Sequence, residues 1–289
     1  MSLRIRIRPA MPDDRETVVA LLHERMNPKI PHERWRRLFD YPWRPADAPD
    51  CGRILEVDGR LAGFLGATYV DRPIAGRTER ICNMSSWYLV PEQRGRGAGR
   101  AMALDLTQDG EITATDLTAT PQVHRLLLSH CGFRVLDEER WLLRKGEGGA
   151  GGVTLVSGAA LAARLTPPDR ELIAHHAQPG VLAAGIEGGT SFCLLLLQIK
   201  SKGADIAYHQ LLHASAPEVL ARHAQAVADA LLPEQPAVLA IDRRLLPGGF
   251  EGAETEPIPQ PRLYTSRRLG PADLDNLYNE VLLLDQKLP

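Results

Sequence analysis

The chain has 289 residues, 44% of them hydrophobic and 5% aromatic, with 34 basic side chains against 36 acidic ones. That length suits one large or two ordinary domains, and a formal net charge of −2 gives no basic footprint for nucleic acid. No apolar run reads as a membrane span and no signal-peptide pattern opens the chain, while Cys51, Cys82, Cys131 and Cys193 form no C-x-x-C pair and read as reduced thiols of a cytoplasmic protein.

In chain order, Arg4–Arg8 alternates like a strand and Pro9 ends it. Asp13 and Asp14 then precede Val18, Val19, Leu21 and Leu22, an amphipathic helix with acid in its first turn. A second helix is expected from Pro31 to Phe39, with Trp35, Leu38 and Phe39 on one face, and a loop from Tyr41 to Asp50. Arg53–Val57 and Leu61–Val70 read as strands joined by the hairpin signal Asp58-Gly59. A fourth strand is expected from Glu79 to Val90, closed by Pro91, which has no N–H to give.

Arg94 and three alternate glycines, Gly95, Gly97 and Gly99, follow that strand, and the apolar helical pattern of Ala101–Leu106 begins at once. Strand, glycine-rich loop and helix N-terminus together leave backbone N–H groups open to a large anion, in the positive half of the helix dipole. The loop lacks the G-K-[ST] ending of a P-loop and the spacing of a dinucleotide fingerprint. Further on, the pattern gives a strand at Ile112–Thr118, a helix from Pro121 to His130 stopped by Gly132, and two strands at Phe133–Leu136 and Arg140–Arg144.

The string Val90-Pro91-Glu92, Arg94-x-x-Gly97-x-Gly99 resembles the acyl-CoA signature of the GNAT N-acetyltransferase superfamily, and Cys131-Gly132-Phe133 after a helix resembles a later element of that family. The resemblance covers residues 4–145. It implies an α+β fold, with a mixed, mostly antiparallel twisted sheet flanked by helices. It implies acetyl-CoA as cosubstrate, its pyrophosphate on the amides of Arg94, Gly95, Arg96, Gly97, Ala98, Gly99 and Arg100, and its thioester along Leu89 and Val90. An amine would attack the thioester directly, with the Leu89 or Val90 N–H polarising the carbonyl. Trp35–Phe39 and the Val57-Asp58-Gly59-Arg60 hairpin are also similar to a GNAT branch of bacterial surface polysaccharide synthesis, so an amino sugar joins small amines as acceptor.

Three catalytic positions of the family are non-standard here. Counting back from Phe133, the tyrosine position holds Leu128; the asparagine position falls at Thr120 or Pro121, and the acidic positions of the fourth strand at Ser85 and Ser86. Tyr88 and His124 are the substitutes expected to be catalytic, with Glu56 and waters held by Ser85 and Ser86 also in reach. The competing reading makes Tyr88 a core side chain and His124 a surface one. Chemistry without the tyrosine is feasible, since a thiol of pKa roughly 8.5 leaves as thiolate.

Gly146–Gly152 reads as a flexible linker between a domain at 1–145 and a second at 153–289. The second half repeats the first in outline, Gly249-Phe250 echoing Gly132-Phe133 and a last helix running from Pro271 to Leu284. Where the glycine loop would stand it has His213-Ala214-Ser215-Ala216-Pro217, so this domain reads as a degenerate GNAT-like copy that binds no CoA. His175-His176 and His209/His213 lack ligand spacing, and no metal is expected. The chain therefore reads as an acyl-CoA-dependent N-acyltransferase, the alternative being an inactive acyl-CoA-binding sensor or assembly protein. Its expected partners are a small-molecule amine and, in a homodimer, a second copy; nucleic acid and membrane are not expected.

Overall fold

The computed structural model describes residues 4–108, 110–146, 152–202, 206–246, 248 and 254–286. Residues 147–151 of the glycine-rich stretch and the Gly249-Phe250 pair lie outside them. The chain forms two compact units, and they exchange segments relative to a cut at 146–152. The first comprises the described residues up to Leu136, Gln260–Asp273 and the segment from Tyr278 onward; the second comprises Asp137–Pro259 and Leu274–Leu277.

In the first unit β1 (Ile5–Pro9) pairs antiparallel with β2 (Gly52–Val57). Between them α1 (Arg15–Leu21) and α2 (His32–Arg36) bury Val18, Val19 and Trp35 against Ile54 and Phe64. Asp58 and Gly59 adopt the positive φ, 49° and 75°, that a tight hairpin demands, and β3 (Arg60–Ile74) returns along β2. β3 and β4 (Arg77–Leu89) form a long antiparallel ladder. The crossover helix α3 (Ala98–Thr107) then leads to β5 (Thr113–Asp116), which pairs parallel with β4. Thr120 accepts the Val123 N–H and caps α4 (Pro121–His130). Met102, Ala103, Leu127 and Phe133 close a core over the α3/α4 face of β3 and β4.

The two strands expected at 133–144 are one continuous strand, β6 (Arg134–Leu143), which leaves the first unit at Asp137. The second unit contains β7 (Thr154–Val156), α5 (Gly158–Ala162), α6 (Pro167–His175), β8 (Val181–Gly188), β9 (Ser191–Lys202), β10 (Ile206–Ala214), α7 (Pro217–Leu231) and β11 (Ala237–Asp242). Its strand order is β6-β11-β10-β9-β8-β7, antiparallel except for the parallel pair of β10 and β11. Leu194–Leu197, on the central strand β9, are buried on both faces.

β12 (Glu254–Thr265) passes back into the first unit at Gln260, where Leu263–Thr265 pair antiparallel with β5. The first unit thus has the order β1-β2-β3-β4-β5-β12. Both units are α+β with mixed, mostly antiparallel sheets flanked by helices.

The long last helix expected from Pro271 is absent. A 3₁₀ turn (Pro271–Asp273) is followed by irregular chain and the short α8 (Glu280–Leu283), capped by Asn279. Asn276 donates its N–H to the Leu212 carbonyl at 2.9 Å, within the second unit, and its side chain joins Asp242 and Arg244. These bonds to β10 and β11 outcompete the i→i−4 pattern that apolar periodicity favours.

Gly52 has φ +125°, and a Cβ there would stand 2.0 Å from the Leu65 carbonyl oxygen and 2.9 Å from Gly66 Cα. Gly52→Ala therefore combines a strained backbone with overpacking, about 2–4 kcal/mol together. Thermal unfolding should show Tm lower by roughly 5–15 °C; an unchanged Tm would refute this close approach of β2 to β3.

Candidate active site

β4 carries the site. Its register with β3 steps from Gly66↔Ser85 to Phe64↔Tyr88, so two residues, Ser86 and Trp87, oppose one, Leu65. This is a β-bulge, and Ser86 takes the positive φ of 46° that turns it. On its other edge β4 pairs with β5 only at Ile81↔Thr113, Cys82↔Ala114 and Asn83↔Thr115. β5 stops at Asp116 while β4 runs on to Leu89, so the sheet opens into a V whose β4 edge pairs with no strand among the described residues of the unit.

Backbone alternation decides which amides face that opening. The Val90 N–H is engaged by the Ala62 carbonyl at 2.9 Å. Gly63↔Leu89 is the next pair, so the Leu89 N–H points away from β3, into the V. Of the two amides expected to polarise a carbonyl, only Leu89's is directed there.

Beyond β4, a 3₁₀ turn at Pro91–Gln93 leads into the glycine loop. Arg94 folds back over it: Nε donates to the Leu89 carbonyl at 2.9 Å, and the guanidinium lies 5.3 Å from the Tyr88 ring centroid. Arg94 thus fixes the loop to the strand end. Gly95 and Gly97 have φ of 71° and 83°, and a Cβ on either would meet nothing within 4 Å. Gly97 caps α3 with no side-chain acceptor for the first helical N–H groups. Gly99 behaves differently, since a Cβ there would stand 3.3 Å from Trp87 and 3.5 Å from Leu89. Two glycines thus leave space for a ligand and one seats the helix on the strand. Arg96 and Arg100 are exposed beside the loop, and Ala98 is buried.

On the α1 side, Tyr88 and Val90 line a cavity of about 430 Å³ together with Thr17, Leu21, Glu24, Arg25 and Glu92. Tyr88 is buried and packs in the α1/α2 core, and the structure places it at the wall of this cavity. His124 is half-buried on the first turn of α4, its Nε2 buried without a hydrogen-bond partner. Leu128 is half-buried against the α3/α4 core. Glu56 is bound by Arg8 on the β1/β2 surface, Nε to Oε1 at 2.7 Å. Ser85 Oγ is buried and without a partner, and Ser86 forms the bulge.

Sequence reasoning missed four groups that the fold brings to the point where β4 and β5 part, Asn83, Asp116, Thr118 and Glu280. The Asn83 amide nitrogen donates to Thr115 Oγ1 at 3.1 Å, and Asn83 Oδ1 accepts the Glu280 N–H at 3.1 Å. The Thr118 hydroxyl donates to Glu280 Oε1 at 2.7 Å, and the Thr118 N–H donates to Asp116 Oδ1 at 3.1 Å. Glu280 is 3% exposed and its Oε2 has no hydrogen-bond partner. Burial, then the nearby Asp116, pushes the Glu280 carboxyl up to about 8, while the Thr118 hydrogen bond and Arg262 oppose this. Burial pushes Asp116 up to about 7 against the Thr118 and Ala119 N–H groups. No motif marks Glu280; the available signal was the run Asp275, Asn276, Asn279 and Glu280, too polar for a helix that must bury itself.

In the second unit the same parallel pair of strands is closed by other means. The Ser215 N–H is held by the Leu194 carbonyl at 2.9 Å, the Ala216 N–H by Cys193 Sγ at 3.4 Å, and α7 begins at Pro217. Beyond the pair, Asp242 accepts from Gln210, Asn276 and Arg244, and Arg244 also pairs with Asp137. His213 Nδ1 lies 2.9 Å from Asp275, and burial lowers the His209 pKa. Among the described residues no three His, Cys, Asp or Glu side chains gather as a metal site would need, and no helix is long and apolar enough to cross a membrane.

Residues 16–133 match the acetyltransferase (GNAT) family model. The chain is similar to a GCN5-related N-acetyltransferase from Kribbella flavida, at 14% identity and TM-score 0.54 over 91% of this chain and 71% of that one. A GCN5-related N-acetyltransferase from Anabaena variabilis gives 12% and 0.54 over 90% and 72%. A probable N-acyltransferase from Enterococcus faecalis gives 11% and 0.53 over 94% and 74%. At these identities the likeness is one of fold. No curated protein sequence matches the chain.

The two raised carboxyls have a consequence for stability. A folded-state pKa above the unfolded one means that the native state holds more protons between the two, so stability falls as pH rises. Denaturant midpoints should decline from pH 5 to pH 9. Glu280→Gln should flatten that decline, matching the wild type at pH 5 and exceeding it at pH 9. Parallel curves for the two proteins would show that Glu280 titrates normally.

Proposed function

We propose, because the chain belongs to the GNAT acetyltransferase family through residues 16–133, that it is an acyl-CoA-dependent N-acyltransferase. It takes acetyl-CoA in the first unit and passes the acetyl group directly to the amine of a small molecule, an amino sugar being one candidate, in the cytoplasm. The observation that carries this reading is the coincidence on one strand of three features: the bulge at Ser86, the unpaired edge beyond Asn83, and the open, uncapped glycine terminus of α3.

In this reading the pyrophosphate rests on the N–H groups of residues 97–100, beside Arg96 and Arg100. The helix dipole and the fixed amides favour its charge without reorganisation. The pantetheine arm adds itself to the free edge of β4. The Leu89 N–H then meets the thioester oxygen, where negative charge grows as the amine attacks. Amine and thioester are held together, so attack is effectively intramolecular. The cavity beside Tyr88, with Glu24 and Glu92 in its wall, suits a cationic acceptor. With Leu128 at the family's tyrosine position, the thiolate departs unprotonated, as a pKa of roughly 8.5 permits.

The second unit binds no CoA in this reading, because its loop amides are held by β9 and its helix starts at proline. Buried free thiols at Cys51, Cys82, Cys131 and Cys193 accord with a reducing compartment.

Calorimetry with acetyl-CoA should give one equivalent per chain. Gly97→Glu should weaken binding at least about 10²-fold, since a carboxylate in the cradle opposes a pyrophosphate by several kcal/mol. Its surroundings are open, and the φ of 83° adds backbone strain of about 1–3 kcal/mol, so a thermal melt confirms that the variant is folded before binding is read. Unchanged affinity, or two equivalents per chain, would sink the assignment. Release of free thiol with a panel of amines and amino sugars tests transfer itself; binding without any transfer would favour an acyl-CoA sensor.

A further inference from the structure

We propose that Glu280 is the proton acceptor of the transfer, a catalytic carboxylate that the last segment of the chain brings into the opening between β4 and β5. This rests on the reading of the first unit as an N-acyltransferase.

The geometry is specific. Glu280 is linked to both sides of the V through its own atoms: the backbone N–H to Asn83 on β4, and Oε1 to Thr118 just past β5. Asn83↔Thr115 is the last paired position before the strands part, so the carboxyl sits at the apex of the opening. There it leaves Oε2 buried and unpaired. A buried polar atom without a partner costs about 1–3 kcal/mol, and a leucine of similar size would avoid that cost. The second unit provides the contrast, since Asp242, at 0% exposure beyond its own parallel strand pair, has three side-chain donors. A carboxyl that only held the fold together would be paired as Asp242 is.

Of the other candidates, His124 keeps an unpaired ring nitrogen on the first turn of α4, and the rest are committed elsewhere. Glu56 is bound to Arg8, Asp116 accepts the Thr118 N–H, and Tyr88 lies under the Arg94 guanidinium. The charged groups facing Glu280 are Asp116 at the end of β5 and Arg262 on β12; β4 contributes the neutral Asn83.

The step balances as follows. The acceptor arrives as an ammonium, and the Glu280 carboxylate takes one of its protons. The freed lone pair forms the C–N bond to the thioester carbon while the C=O pair moves to oxygen, against the Leu89 N–H. Collapse restores the carbonyl and breaks the C–S bond, whose electrons leave on sulfur. The second nitrogen proton passes to the thiolate, giving free CoA thiol, and Glu280 returns its proton to solvent. A carboxyl raised to about 8 is close to an ammonium in acidity, so the proton moves with little uphill cost. Only the ionised carboxylate accepts a proton, so activity rises with pH through that region.

The test measures kcat/KM against pH with acetyl-CoA and a strongly basic alkylamine acceptor, which arrives as its ammonium throughout the range and contributes no limb of its own. The wild type should climb tenfold per pH unit and level off near pH 8. Glu280→Gln should lose that limb and about 10²–10⁴-fold in rate, the usual worth of a positioned base, with its acetyl-CoA Kd unchanged. Thr118→Val, which deletes a hydrogen bond that lowers the Glu280 pKa, should move the limb to higher pH. E280Q with the wild-type rate and limb overturns the proposal and leaves the acyltransferase reading standing. Should E280Q fail to fold, T118V decides: an unmoved limb overturns the proposal. A wild type that binds acetyl-CoA and acetylates no amine removes both.

Discussion

The structure of the first unit depends on the brevity of one strand pairing. β4 and β5 run parallel for three positions and part at Asn83 and Thr115. Had β5 continued, its ladder would have satisfied the β4 edge and left nothing to bind. Because it stops at Asp116, the Leu89 amide faces an opening without a strand partner. A buried backbone donor without a partner is costly, so this edge favours any extended ligand that can supply acceptors. The bulge at Ser86 reinforces the effect. It bends β4 away from β5 and sets Trp87 and Leu89 against α3, while Tyr88 faces α1. One strand thereby presents anion-binding loop, thioester edge and acceptor cavity within a few residues.

The two units show what the same parallel pairing becomes when it is opened or closed. In the second, the Ser215 and Ala216 N–H groups of the corresponding loop are taken within the unit, and the space beyond the strands is filled by Asp242, Arg244, Asp137, Asn276 and Gln210. Such a network is strong only when complete, because removing one member leaves a buried charge unpaired. It fixes a structure and leaves no group free to react. In the first unit Glu280 keeps an unpaired oxygen at the comparable point. Polar atoms without partners in a fold that elsewhere satisfies its carboxylates mark the place where stability has been given up for chemistry.

Much of this was legible in the sequence. The hairpin at Asp58-Gly59 and the helix from Pro121 to His130 follow from turn and cap chemistry and fall where expected. The glycine loop was readable because glycine at alternate positions before a helix has few uses other than admitting a ligand. What could not be read depends on contacts between distant segments. Periodicity from Pro271 to Leu284 favours a helix, and the hydrogen bonds of Asn276 to the Leu212 carbonyl and of Glu280 to Asn83 defeat it. The role of Glu280 is invisible for the same reason: its character comes from Asp116, Thr118 and burial, more than 160 positions away in sequence. The choice between the Leu89 and Val90 amides stayed open in the sequence because one hydrogen bond to Ala62 decides which of two neighbouring N–H groups is free.

The path of the chain then constrains how the site can exist at all. The segment beside β5 is Leu263–Thr265 of β12, and the apex carboxyl is on α8; both come from beyond residue 259. A fragment ending near residue 145 would contain the cradle but expose the far edge of β5, with Leu263 missing from its core and Asn83 Oδ1 without its donor. An unpaired sheet edge of this kind invites pairing with other chains. The whole of the second unit must therefore be synthesised before the first can close. Loop-closure entropy grows only logarithmically with the intervening length, so the long detour costs little in stability. It costs more in folding rate, because contacts of such separation form late. The consequence is functional as well as structural: the anion cradle can form early from local sequence, but the group that would take the proton arrives only with the end of the chain.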